Sequence, residues 1–229
     1  MRSITLKFLA AVVLILGITA VSAARKKAQP DLSPYFTGST TTPAQPDSEG
    51  FIRRWLILEP IEKPNRSNTV FTDSYLREVL DNKDFSAATL PRDGEKVKLG
   101  KQTLQWHSLD SEKFNVKLFR FATLLEKPHY GVIFLVATAI DCEEDIPDVR
   151  MSVGSNSASM WWLDGEEAVL LSGDRRMVQD DCMSRRLTLR KGRNIIRGAI
   201  INGPGMSDFC LRFLNEKGEP VNNFTVSTK

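Results

Sequence analysis

Residues 159–171 read Ser159-Met-Trp-Trp-Leu-Asp-Gly-Glu-Glu-Ala-Val-Leu-Leu171. An Asp-Gly pair between two apolar runs is the strongest short-range signal for a β-hairpin, because both residues accept the positive φ of a tight turn. Strand-like runs separated by turn residues come after it, over Arg185–Arg190, Asn194–Ile201 and Ser207–Leu214. The second half of the chain is therefore predicted to be an antiparallel all-β domain.

The chain before this hairpin also contains strand patterns. Gly131–Ile140 is nearly all apolar, which predicts a central strand covered on both faces. Asp148–Val153 alternates between apolar and polar residues, as a strand with one buried face does. The remaining predicted strands are Arg53–Glu59, stopped by Pro60, a hairpin over Lys96–His107, and Val116–Phe121.

The segment Thr72–Leu80 is the one good helix candidate. Thr72 or Asp73 can cap it, and its apolar stripe is suited to covering an open end of the domain. Regularly spaced strands with one short helix predict an all-β fold class, an antiparallel two-sheet β-sandwich of the jelly-roll kind.

Composition and charge exclude some classes of function. Of 229 residues, 41% are hydrophobic and 26% are charged, as in ordinary folded domains. The 31 basic and 28 acidic residues are too evenly balanced for a nucleic-acid partner, which needs a clustered basic face.

The N-terminal residues have the pattern of an export signal. A basic region with Arg2 and Lys7 precedes a short apolar core, and Val21-Ser-Ala23 offers a cleavage site. We expect a signal peptide over 1–23, a flexible tether rich in Pro, Thr and Ser over 24–50, and a β-sandwich over 51–229. The predicted location is periplasmic or extracellular, without a membrane segment after cleavage.

The chain has three cysteines, Cys142, Cys182 and Cys210. An odd number leaves at least one thiol free in a monomer. Cys142 and Cys182 lie in acidic loops where pairing is one option and free thiols the other. Cys210 lies within a strand and is expected to be a small buried hydrophobe.

A search for catalytic residues argues against an enzyme. The string nearest to a nucleophile elbow, Gly154-Ser-Asn-Ser-Ala158, has Asn at its centre and lacks the second Gly. Only His107 and His129 could act as a base, and neither has a partner motif.

No cofactor is predicted, although a structural calcium ion is one option. Calcium prefers several oxygen ligands from loops, and the chain has acidic loop residues. The candidate ligands are Asp141, Asp180 and Asp181.

The tryptophans are the better functional indication. Trp161 and Trp162 are neighbours on one strand, so they must point to opposite faces, one into the core and the other outward or under a loop. A β-sandwich that binds sugar can stack sugar rings on exposed aromatic faces. The predicted carbohydrate-binding residues are Trp162, Trp106, Asn156 and Arg175.

Several motifs together resemble a known family. They are Arg53-Arg-Trp-Leu-Ile-Leu-Glu-Pro60, Gln105-Trp-His107, Val149-Arg-Met-Ser-Val-Gly-Ser-Asn156, Trp161-Trp-Leu-Asp-Gly165 and Gly192-Arg-Asn-Ile-Ile196. In this combination and order they are similar to the β-sandwich module of Bacteroidetes-type acetylxylan-esterase-like proteins. The resemblance covers most of residues 51–214.

The resemblance implies a galactose-binding-like jelly roll that accompanies an α/β-hydrolase domain in such proteins. That hydrolase domain removes acetyl groups from plant polysaccharide, but this chain has no Gly-x-Ser-x-Gly motif. The implied function is a secreted, non-catalytic carbohydrate-binding-like module for the breakdown of polysaccharide such as xylan. The alternatives are a module that docks a separate carbohydrate-active enzyme, or an esterase with an unfamiliar site.

Overall fold

The structure is a computed structural model that describes residues 30–62, 73–80, 85, 87–156, 158–202 and 205–229. The predicted signal peptide over 1–23 and the first residues of the predicted tether lie outside this range. Within the described part of the chain, no helix combines the length and apolar character needed to cross a membrane.

Fourteen strands and two short helices form the described part of the domain. They are β1 (Phe36–Gly38), β2 (Arg54–Leu58), β3 (Ile61–Glu62), α1 (Asp73–Val79), β4 (Lys96–Leu99), β5 (Gln102–Ser111), α2 (Leu118–Leu124), β6 (Val132–Cys142), β7 (Ile146–Ser155), β8 (Ser159–Leu163), β9 (Glu166–Leu171), β10 (Cys182–Met183), β11 (Leu187–Leu189), β12 (Gly192–Asn202), β13 (Phe209–Leu214) and β14 (Phe224–Ser227).

The strands form two antiparallel sheets that face each other. The large sheet has the order β1-β5-β2-β6-β12-β8-β9, with β3 and β14 paired to β6 and β4 paired to β5. The small sheet has the order β10-β7-β11, with β13 on the other side of β7. This arrangement confirms the predicted antiparallel two-sheet sandwich.

The Asp-Gly hairpin is present as predicted. Asp164 and Gly165 both have positive φ, 51° and 86°, and they connect β8 to β9 with Leu163 opposite Glu166. β6 is the predicted central strand, since its partners β2 and β12 lie on either side and nearly all of its residues are buried.

Two hydrophobic cores lie on opposite faces of the large sheet. The main core fills the space between the sheets and contains Trp55, Trp161 and Phe209. The minor core lies on the outer face of the large sheet, where α1, Phe85 and residues 87–99 cover it, and it contains Trp106 and Trp162. Adjacent Trp161 and Trp162 therefore serve different cores, as their alternation on a strand predicts.

The predicted helix forms over Asp73–Val79, but it covers a different part of the sandwich from the one expected. Leu76, Val79 and Leu80 are buried in the minor core with residues of β2 and β6. α1 thus covers the outer face of the large sheet rather than an open end of the sandwich. Thr72, one of the two proposed caps, lies outside the described residues.

The predicted strand Val116–Phe121 is wrong, because most of it belongs to helix α2. Leu118, Phe121 and Ala122 are buried, and their i, i+3, i+4 spacing places them on one helical face. Only Val116 pairs with the sheet, through a bridge to Phe209.

The runs after residue 185 are strands, but consecutive runs do not pair with each other. β11 pairs with β7 in the small sheet, whereas β12 pairs with β6 and β8 in the large sheet. β13 returns to the small sheet. Each turn therefore carries the chain from one sheet to the other.

Residues 30–50, the described part of the predicted tether, are packed on the sandwich. Leu32 and Phe36 are buried in the main core, and β1 pairs with β5. Ala44 forms two backbone hydrogen bonds with Val226 of β14, at 2.9 and 2.7 Å. The folded domain thus begins before residue 51, because these apolar side chains fill the main core.

The three cysteines are free thiols. Cys142 lies at the end of β6 in the large sheet, whereas Cys182 lies on β10 in the small sheet. Cys210 is buried, as predicted, and its Sγ lies 3.8 Å from Met177 Sδ. Burial raises the pKa of the Cys142 thiol to about 11 and that of Cys210 to about 12.

Replacing Gly198 by Ala is expected to destabilise the sandwich. Gly198 of β12 lies opposite Trp161, and an added Cβ would lie 2.4 Å from the indole ring. Relief of this overlap requires the largest main-core side chain to shift, which costs about 1–3 kcal/mol. Urea unfolding measures the loss. Gly38→Ala is the matched control because nothing lies within 4 Å of its Cβ position, and equal stability of the two variants would contradict this packing.

Candidate functional site

Trp106 and Trp162 are in the minor core and present no ring to solvent. Each is only 3% exposed. Phe85 packs edge-on against Trp162 at 5.8 Å, and the guanidinium of Arg197 donates to the Phe85 carbonyl at 2.6 Å. The expectation of exposed stacking rings at these two positions is therefore wrong, because Phe85 and residues 87–99 lie over them.

Asn156 and Arg175, the other two predicted site residues, lie next to each other. The backbone N–H of Arg175 donates to the carbonyl of Asn156 at 3.2 Å. The Arg175 guanidinium pairs with Asp181 at 2.8 Å, and the side-chain oxygen of Asn156 is buried with no hydrogen-bond partner in the described part of the chain. The structure thus joins two of the four predicted residues and separates them from both tryptophans.

The three candidate calcium ligands do not fit a calcium site. Arg193 pairs with both oxygens of Asp141, Arg212 with both oxygens of Asp180, and Arg175 with Asp181. Each carboxylate thus already has a cationic partner. Across the described ranges, no group of three or more His, Cys, Asp or Glu is arranged to hold a metal ion.

Asp180 also stabilises the outer face of the small sheet. Its carboxylate accepts a hydrogen bond from Ser152 at 2.6 Å besides those from Arg212. Burial raises the pKa of Asp180, but the hydrogen bonds from Arg212 and Ser152 outweigh it and the net pKa is lowered. This carboxylate is a structural group of the strand surface.

One end of the sandwich collects buried oxygen atoms that have no hydrogen-bond partner among the described residues. These atoms are Asn156 Oδ1 after β7, Asn202 Oδ1 at the end of β12, and Ser207 Oγ and Asp208 Oδ1 before β13. The backbone N–H of Asn156 donates to the Asp208 carbonyl at 3.1 Å, so the two loops touch. Each unmatched buried group costs about 1–3 kcal/mol, and such atoms are found where a ligand or water completes the site.

Asp208 is the one charged residue among these four. Lys117 Nζ lies 2.6 Å from Asp208 Oδ2, and Asn115 Nδ2 lies 3.4 Å from the same oxygen. Burial raises the pKa of Asp208, and the charges of Lys117 and Arg120 lower it without outweighing burial. The other carboxylate oxygen has no partner among the described residues.

An aromatic cluster borders these buried oxygens. His129 lies between two rings, with ring centroids 4.6 Å from Phe119 and 4.4 Å from Tyr130. Asn202 donates from Nδ2 to the His129 carbonyl, and the backbone N–H of Phe119 donates to the Ser207 carbonyl at 3.0 Å. Tyr130 is 53% exposed. The cluster therefore presents an aromatic surface beside the unpartnered oxygens.

We call this region the polar end: Asn156, Asn202, Ser207 and Asp208 with Lys117, Phe119, Arg120, His129 and Tyr130. The sequence analysis found only Asn156 among them. The sequence contains one further indication of this region, which is Tyr130 in the turn Pro128-His-Tyr-Gly131. A residue in a turn is not buried by the alternation of a strand.

The two histidines have structural surroundings. His107 Nε2 lies 3.5 Å from Glu59 Oε1, and its ring packs against Phe121 at 5.6 Å. His129 belongs to the aromatic cluster. Ser155, in the string closest to a nucleophile elbow, is fully buried at the end of β7. None of these placements reproduces a nucleophile elbow.

A cavity of about 410 Å³ lies between β9 and β11, and β11 pairs with the start of β7, the end away from Asn156. Asp164, Glu166 and Glu167 line one side, and Arg185, Arg186 and Arg190 line the other. Arg185 pairs with Glu166 across it at 3.3 Å, and both side chains are largely exposed. This groove between β9 and β11 is a solvated charged edge without an aromatic surface.

Comparison with known proteins gives similarities of fold only. No family model and no curated protein matches the chain. Among solved structures, the PA14 domain of MpAFP antifreeze protein is 10% identical over 83% of this chain and 95% of its own, with a TM-score of 0.42. A PA14 sugar-binding domain from an RTX adhesin is 9% identical over 76% and 96%, with a TM-score of 0.43.

A third similar structure is the subtype-switched epithelial adhesin 9 to 1 A domain from Candida glabrata, in complex with β-lactose. It is 7% identical over 83% of this chain and 94% of its own, with a TM-score of 0.34. At these TM-scores the similarities carry no argument about site or ligand. No acetylxylan esterase is among the three structures, so the resemblance to that family stays a prediction.

Replacing Trp162 by Ala is expected to lower stability rather than to remove a binding surface. Loss of a buried indole costs about 3–5 kcal/mol, whereas Trp162→Phe keeps most of the contact and should cost less. Urea unfolding of both variants tests this expectation. Wild-type stability of Trp162→Ala together with lost glycan binding would instead restore the stacking role.

Asp208 should contribute more to the free energy of unfolding at low pH than at neutral pH. A carboxyl group whose pKa is raised by folding contributes stability that is complete below its ordinary value of 3.8 and is lost as pH rises through the raised pKa. The unfolding free energy of the wild type minus that of Asp208→Asn should therefore fall as pH rises from about 3 to about 7. Urea titrations of both proteins give this difference, and a flat or rising difference would contradict the raised pKa.

Proposed function

We propose that this chain is a non-catalytic carbohydrate-binding module whose sugar site is the polar end. The observation that carries the proposal is the half-exposed ring of Tyr130, held by His129 and Phe119 beside buried oxygens that lack partners. Small-molecule sites combine an aromatic surface with a few well-placed polar groups in this way.

The chemistry of a sugar suits both parts of this site. A pyranose ring has an apolar face of C–H groups, which packs on an aromatic ring, and a rim of hydroxyl donors. Asn202, Ser207 and Asp208 supply acceptor oxygens for these donors.

The finer parts of the proposal rest on the sequence. The pattern over residues 1–23 supports export to the periplasm or the exterior. The resemblance to acetylxylan-esterase-like modules supports a plant polysaccharide such as xylan as ligand. The module would hold an associated hydrolase near its substrate and would itself carry out no chemistry.

A second candidate function is the docking of a separate carbohydrate-active enzyme. Two exposed side chains at or beside the polar end, Tyr130 at 53% and Met206 at 48%, favour it. Aromatic residues and Met are enriched in protein interfaces. A partner enzyme that binds in the absence of any glycan affinity would support this function.

Affinity electrophoresis tests the sugar site. The chain from Ala24 onward is run in native gels that contain xylan, mannan, pectin or β-glucan, next to Tyr130→Ala and Leu170→Ala. We expect retardation in at least one polysaccharide, at least several-fold weaker for Tyr130→Ala, because its ring provides the stacking surface. Leu170 is 42% exposed on β9 and serves as the control. Unchanged mobility of the wild type in every gel would refute the proposed function.

A further inference from the structure

Arg120 of helix α2 lies against two aromatic rings, one of which belongs to the aromatic cluster. The Arg120 guanidinium carbon lies 5.9 Å from the centre of the Phe119 ring and 5.3 Å from that of Tyr35. The Phe119 ring is in turn 5.8 Å from the Tyr130 ring. Arg120 therefore holds a positive charge next to Phe119, the ring that packs against the proposed stacking residue Tyr130.

The two lysines that flank helix α2 are already paired. Lys117 is bound to Asp208 at 2.6 Å, and Lys127, just after α2, pairs with Glu59 at 3.3 Å. None of the ion pairs between described residues includes Arg120, which is exposed. The guanidinium thus retains donors for a ligand.

A guanidinium is the side chain best suited to a planar anion. Its N–H groups form a fork that matches a carboxylate or a sulfate in a bidentate pair, and such charge-assisted bonds are about twice as strong as neutral ones. A neutral sugar would leave this capacity unused. A sugar whose ring packs on Tyr130 and whose acidic group reaches Arg120 would use both features.

Resting on the carbohydrate-binding function proposed above, we infer that the ligand of the polar end is an anionic sugar, carboxylated or sulfated, whose acidic group is bound by Arg120. Stacking on Tyr130 supplies affinity for any sugar with an apolar face. The pairing with Arg120 supplies the selectivity for charged chains over neutral ones.

The test compares charged polymers with their neutral counterparts. Polygalacturonate is run against the same polymer after reduction of its carboxyl groups, and dextran sulfate against dextran, so that the two pairs distinguish a uronate from a sulfate ligand. We expect retardation by one charged polymer to be about tenfold stronger than by its neutral partner. Arg120→Gln should remove most of this difference.

A matched control is needed because the chain is basic overall, with a net charge of +3, and a polyanion attracts any basic protein. Arg190→Gln has the same net charge as Arg120→Gln. Arg190 is exposed and follows β11, which pairs with the start of β7, whereas the polar end lies at the other end of β7. Arg190→Gln should bind the charged polymer as the wild type does.

The outcomes separate this inference from the function on which it rests. Equal loss of binding in both Arg variants would show unspecific attraction and would overturn the inference. Equal binding of charged and neutral polymers, still lost in Tyr130→Ala, would also overturn it but leave the sugar site standing. No retardation by any polymer would refute both. Loss confined to Arg120→Gln and to the charged polymer would support the inference.

Discussion

Three aromatic rings connect the two sheets, and the position of the polar end depends on their packing. Trp55, Trp161 and Phe209 contact one another with centroid distances of 5.0–6.0 Å. They belong to β2, β8 and β13, so the contact joins the large sheet to the small one. Gly198 makes it possible, because the indole of Trp161 lies directly on the backbone of β12.

Phe209 connects this aromatic packing to the polar end. Its backbone exchanges hydrogen bonds with Val116, at 2.7 and 3.3 Å, and it pairs in register with Ser155. The next residues toward solvent are Asp208, Lys117 and Asn156, one from each of these three segments. A single ring in the main core therefore fixes where the polar groups of three separate loops meet.

The sequence predicted those features that local chemistry determines. The Asp-Gly turn, the apolar central strand and the opposite faces of Trp161 and Trp162 follow from φ preferences and from alternation, and all three are present. The transfer of the chain between sheets after β11 was not predictable, because a turn sequence does not specify which strand its flanks will pair with. α2 was missed because a short apolar run such as Val116–Phe121 is ambiguous between helix and strand, and Ala122, which completes the helical face with Leu118 and Phe121, comes just after it.

The site was predicted less well, because exposure depends on residues distant in sequence. Trp106 and Trp162 are covered by Phe85 and residues 87–99, and no property of their own strands indicates this cover. Tyr130 is exposed because a turn after α2 leaves it outside both cores, and that helix was itself predicted as a strand. Because α2 was predicted as a strand, the exposure of Tyr130 in the turn that follows it was not predicted.

The burial of two thiols also limits how the molecule can be linked covalently to others. Thiol–disulfide exchange proceeds through the thiolate, and burial raises the pKa of Cys142 and Cys210 so that both stay protonated at neutral pH. Both sulfurs are also shielded from a second reagent. Cys182, which is only partly buried on β10 of the small sheet, is therefore the thiol through which oxidation would most readily join two copies.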